Sequence, residues 1–97
     1  MIGDTATIRA LGRRLRERAD EIRDLAAGLA RRADSVPWTG LAADAMRAHT
    51  AGRVAALLRT AALHEEAADA IERHAREVDL LADVLGGPLD QLKGLLT

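Results

Sequence analysis

Val36-Pro37-Trp38-Thr39-Gly40 breaks the chain between two long helical patterns, and no other stretch constrains the fold as much. Pro37 cannot continue a helix, because it lacks an N–H and its ring clashes with the preceding turn. It also pushes Val36 toward extended geometry. Gly40 tolerates backbone angles that other residues resist, and Thr39 is placed to cap a helix that begins just behind it. Trp38 is the only residue among Phe, Tyr and Trp in all 97 positions. A chain that sets its one large ring at such a break goes up, turns over that ring and comes back down. The expected fold is an all-α antiparallel helical hairpin, with helices over about 5–35 and 40–85.

Before the break, Asp4 and Thr5 are candidate N-caps. Apolar residues then keep a seven-residue beat, Ile8, Leu15, Ile22, Leu29 and Val36, with Leu11 and Leu25 at a heptad's second position. Ala19, Ala26 and Ala33 widen this stripe beyond a two-stranded seam, which suits a helix with two neighbours. Arg18 and Arg32 interrupt the second series; their stems can lie along apolar surface while the heads reach water. The run Arg13-Arg14-Leu15-Arg16 reads as the solvated face of an amphipathic helix, with phosphate binding as the alternative.

After the break, Leu41 to Leu85 contains no Pro and is dominated by Ala, Leu, Glu and Arg, all strong helix formers. Leu57, Ile71, Val78 and Leu85 repeat the seven-residue beat, with His64 in the missing slot. Val54, Ala61, Ala68, Ala75 and Ala82 run beside them, and Met46, Leu63, Ala67 and Leu81 extend the face. Gly86-Gly87 is expected to end the helix. Pro88 would then open a short tail helix over 86–97, with Leu89, Leu92, Leu95 and Leu96 on its apolar side.

Folding about Trp38 places Leu29 near His49, Ile22 near Ala56 and Leu57, Leu15 near Leu63, and Ile8 near Ile71. The basic run Arg13 to Arg18 then faces Glu65, Glu66 and Asp69. Gly28 and Gly52 fall at similar heights, where they would let the backbones approach. Arg53 lies within the apolar face, either reaching Asp24 or Glu21 or awaiting a carboxylate from another chain. Apolar surface near the end of the second helix has no first-helix partner, and exposed surface of that size marks an interaction site.

The bulk composition excludes several functions. Hydrophobic residues make up 48% of the chain and charged ones 30%, so the chain is not of the disordered class. Fourteen basic and 15 acidic residues nearly cancel, so no net field favours nucleic acid or an anionic membrane. Without Cys, disulfides and thiolate metal sites are impossible. No basic region followed by an apolar run marks a cleavable signal peptide. No uncharged run approaches the roughly 20 residues of a membrane span. His64-Glu65-Glu66 resembles the start of a His-Glu-x-x-His zinc site, but Ala68 stands where the second His must be. His49, His64 and His74 do not cluster at ligand spacing, so neither metal nor cofactor is expected. His64 reads as a partly buried core residue, a pH-sensitive contact being the alternative. Ser35 has no His beside it, so no catalytic residue is assigned and no enzyme is expected.

The run Trp38-Thr39-Gly40-Leu41-Ala42-Ala43-Asp44-Ala45-Met46, set between two long amphipathic helices, resembles the signature of the WXG family. These are the ESAT-like substrates of type VII (Esx) secretion, and the Ala- and Arg-rich composition is similar to that of high-GC actinobacteria. Met46 replaces the aromatic residue common at its place. The family's Tyr-x-x-x-Asp/Glu export signal cannot occur, because the chain has no Tyr. The resemblance implies a homo- or heterodimer of hairpins packed antiparallel as a four-helix bundle. Its hairpin and dimer surfaces would use Ile8, Leu11, Leu15, Ile22, Leu25, Leu29, Met46, Leu57, Ile71, Val78, Leu81 and Leu85. It further implies that Trp38 and Gly40 contribute to recognition by the secretion ATPase, and that the protein is made in the cytoplasm and exported without a cleaved signal peptide. Partners expected on this reading are itself or a second WXG-type chain, the ATPase, and a larger secreted toxin. The competing expectations are an unexported adaptor that chaperones such a toxin, and a surface-active protein whose tail enters a bilayer interface.

Overall fold

A computed structural model describes residues 4–96, with side chains for all of these except 88–93 and 96. Two helices account for nearly all of it, α1 over Thr5–Ser35 and α2 over Leu41–Leu96, with no strand among the described residues. Asp4 caps α1: its carboxylate accepts from the Thr7 N–H at 3.2 Å and from the Thr7 hydroxyl at 2.6 Å. These bonds hold its carboxyl below the usual range, through the hydroxyl first and the N–H second. α1 stops where Pro37 forces Val36 into extended geometry, φ −67° and ψ 124°. Gly40 then takes φ +104°, a conformation an L side chain resists. Its carbonyl accepts from the Asp44 N–H at 3.0 Å, so Gly40 rather than Thr39 occupies the cap position of α2.

The helices pack antiparallel. Arg9 reaches Asp79, Arg16 reaches Asp69 and Glu72, and Arg23 reaches Glu65. The seam between them differs from the expected one. The buried residues are Gly12, Ala19, Ala26 and Ala33 on α1, and Ala43, Ala61, Ala68 and Ala75 on α2. Among the described residues no large side chain is fully buried. The alanines predicted to widen the stripe form its centre, and the Leu and Ile series lies beside it. Small side chains let backbones approach closely; a Cβ built on Gly12 would lie 3.8 Å from the Ala68 carbonyl oxygen. The close approach therefore falls at Gly12. Gly28 meets only the Arg31 guanidinium at 3.8 Å, and Gly52 faces open space.

α2 does not end at Leu85. It continues through Gly86-Gly87-Pro88 to Leu96, so the tail expected over 86–97 is not a separate helix as far as residue 96. Glycine enters a helix at a cost of about 1 kcal/mol relative to alanine. Gly87, without a Cβ, also relieves much of the restriction that Pro88 places on its predecessor. Pro88 still forfeits one N–H, and with it one helical hydrogen bond. The side chains of Leu89, Leu92 and Leu96 in the expected apolar tail lie outside the described residues, whereas Leu95 is exposed. At about 1.5 Å per residue α2 spans about 84 Å, which sets the 83 × 14 × 14 Å dimensions of the molecule. α1 accompanies little more than half of it. Beyond Asp79 no hydrogen bond or ion pair between described side chains joins α2 to α1.

Candidate functional site

The alanine seam divides the hairpin into two unlike faces. Positions three and four residues after each buried alanine fall on opposite sides of the seam. On one side stand Arg9, Arg16 and Arg23, opposite Asp79, Glu72 and Glu65, both sets at seven-residue spacing. Arg23 lies 2.8 Å from Glu65 and 3.3 Å from Asp20, and Arg16 lies 2.7 Å from Asp69. Hydrogen bonds from the arginines hold Glu65, Glu72 and Asp79 below the usual carboxylate range. The same bonds raise the affinity of Arg16 and Arg23 for their protons. This side carries a ladder of matched charge. Of the basic run expected to face the acids, Arg16 alone does so, with Arg9 and Arg23 completing the ladder.

On the other side stand Ile8, Leu15, Ile22 and Leu29 of α1 and Val36 just past its end, with Leu57, His64, Ile71 and Val78 of α2, all half-buried. Leu11 and Leu25 extend this face outward and are exposed, Leu25 to 66%. Met46 is half-buried near the turn, its sulfur 3.7 Å from the Thr50 hydroxyl. Leu81 and Leu85 lie on α2 beyond its last bond to α1 and are exposed, as are Leu80 and Val84. The expected register holds within about one turn. Leu29, His49 and Leu57 line one hollow, and Leu15 lines another with His64, the neighbour of Leu63 in sequence. Ile71 stands against Gly12, one turn along α1 from Ile8.

His64 donates through Nδ1 to the Thr60 carbonyl at 2.8 Å and lines a hollow with Arg14, Leu15, Glu17, Arg18 and Glu21. Arg53 lines the hollow with Leu29 and Leu57 and makes no ion pair among the described residues. It reaches neither Asp24 nor Glu21, and Glu21 instead lies 3.6 Å from Arg18. Among the described residues no group of three His, Asp or Glu side chains could hold a metal ion. Nor is any helix there long and apolar enough to cross a membrane.

At the turn, Trp38 is 58% exposed and Leu41 beside it 89%. Arg47 donates from Nη2 to the carbonyls of Val36 and Trp38, each at 2.9 Å, with Asp44 3.9 Å from its Nη1. Sequence reasoning missed Arg47, because its partners are main-chain atoms and leave no trace in residue types.

Comparison with the curated proteins and with the solved structures gives no match. Residues 1–83 match the family described as "Putative T7SS secretion signal domain". That span takes in all of α1, the turn and the part of α2 that α1 accompanies. The hairpin, with its turn, is therefore the matched unit, and the chain belongs to the T7SS secretion signal domain family.

Proposed function

We propose that this protein is a non-enzymatic type VII secretion substrate, made in the cytoplasm and exported without a cleaved signal peptide, which travels as one half of a dimer. One observation carries the reading: a continuous row of large apolar residues runs along one side of the seam, and among the described residues no large side chain is fully buried. A fully buried Leu or Ile stabilises by about 1.5–3 kcal/mol, against about 0.8 for one methyl-sized group. The alanine seam therefore leaves most of the available hydrophobic stabilisation unused. A second hairpin laid on the face through Ile8, Leu15, Ile22, Leu29, Leu57, Ile71 and Val78 recovers it as a four-helix bundle. The partner is a second copy or a WXG-type chain. Since this chain has no Tyr, a heterologous partner would supply the Tyr-x-x-x-Asp/Glu signal. Trp38 and Gly40, at the exposed tip, are the contact offered to the secretion ATPase, with neither nucleic acid nor membrane as partner.

The test is native mass spectrometry of the chain alone and with its candidate partner, joined to an export assay in cells with and without the type VII ATPase. A dimer and ATPase-dependent appearance in the medium support the proposal; a well-folded monomer at high concentration overturns the dimer. A second reading, an unexported adaptor for a larger type VII toxin, draws on Leu80, Leu81, Val84 and Leu85, exposed where α1 no longer accompanies α2. Retention in the cytosol bound to such a protein selects it.

A further inference from the structure

The turn cannot hold its own shape through the backbone. Pro37 has no N–H to give. Among the described residues the only backbone–backbone hydrogen bonds outside the helices run from Ile8 to Asp4 and from Asp44 to Gly40, and neither involves residues 36–39. Two carbonyls there, those of Val36 and Trp38, are taken up by one side chain from the second turn of α2. Arg47 Nη2 lies 2.9 Å from both, and the side chain is 32% exposed. A planar guanidinium can serve two acceptors on either side of a bend, which a flexible ammonium does less well. The same contact joins the end of α1 to the start of α2 across the turn that shows Trp38 and Leu41 to solvent.

We propose that Arg47 is the positioning residue of the tip. It holds residues 36–38 in the shape that presents the Trp38 ring outward, and it lowers the ordering cost of any contact made there. The effect on recognition rests on the proposed role of Trp38 in export. The effect on the ring does not.

The experiment compares Arg47→Met, Arg47→Lys and Trp38→Ala in the full chain. Trp38 is the only Trp, so its fluorescence anisotropy decay reports on the tip alone. Arg47→Met keeps the apolar stem, so helix content and urea midpoint are expected to stay near those of the parent. The Trp38 correlation time is expected to shorten, and type VII-dependent export to fall roughly three- to tenfold, the cost of ordering a loosened loop. Arg47→Lys falls between the two and carries the comparison if the Met variant loses helix. A parental anisotropy decay in both Arg47 variants overturns the proposal. So does parental export in Arg47→Met while Trp38→Ala abolishes export. If Trp38→Ala is exported normally, the recognition role of the tip is what fails, and the anisotropy decides the positioning role by itself.

Discussion

Arg16 holds Glu72 in a two-point grip, Nε 3.0 Å from Oε1 and Nη2 2.8 Å from Oε2. With Arg9–Asp79 and Arg23–Glu65 it repeats every seven residues down one side of the seam, so a slip of either helix breaks all three at once. Solvent-exposed pairs add little to stability, and their effect here is on register. Arg16→Glu and Glu72→Arg, each made alone, are expected to lower Tm by about 2–5 °C. The double exchange should recover most of the loss, as read by thermal unfolding. Additive losses in the double variant would show that the pair does not couple.

The same ladder makes stability sensitive to acid. Glu65, Glu72 and Asp79 bind protons less readily in the folded chain than in the unfolded one. As pH falls the unfolded chain takes up more protons, so stability is lost with falling pH. It should be level above about pH 5 and decline below about pH 4, toward the lowered folded values. Urea midpoints across this range are the measurement, and high salt should flatten the curve.

Gly12 stands in the alanine row, and a Cβ there would meet Glu72 Cγ at 3.5 Å and Ile71 Cγ2 at 3.6 Å, ordinary contact distances. Gly12→Ala is expected to stabilise by about 1 kcal/mol, from helix propensity alone. Ala68→Leu, at a fully buried position of the same seam, should cost about 1–3 kcal/mol or more by forcing the helices apart. Chemical denaturation of the two variants decides both.

Leu25 separates folding from association. It is 66% exposed on the hairpin, so Leu25→Glu should change the stability of an isolated hairpin by no more than about 0.5 kcal/mol. Placed in the proposed dimer face, the carboxylate would be buried without a partner. The expected result is retained helix content with loss of the dimer in analytical ultracentrifugation.

How far the sequence discloses this architecture varies by residue. The break at Pro37 and Gly40 is legible, because those residues act on their own backbone whatever surrounds them. So is the apolar face, since Ile8 through Leu29 and Leu57 through Val78 keep one period. The seam itself is not. Hydrophobicity ranks Leu above Ala and points to Leu as the centre, whereas two long helices packed alone close most tightly on the smallest side chains. The continuation of α2 past Gly86 is hidden for a related reason, because end signals are local preferences that the rest of a long helix can override. Trp38 announces itself as the only large ring, but nothing marks Arg47, whose bonds are to carbonyls that every residue possesses.

The narrow alanine seam has one last consequence. Two series share one seven-residue beat on this molecule and differ only in phase: methyl groups in one phase close the hairpin, and bulky aliphatics in the other stay half in water. If the outer stripe is the proposed dimer face, exchanging Leu for Ile, Met or Val along it would reshape what a companion meets while the alanine rows stayed in place.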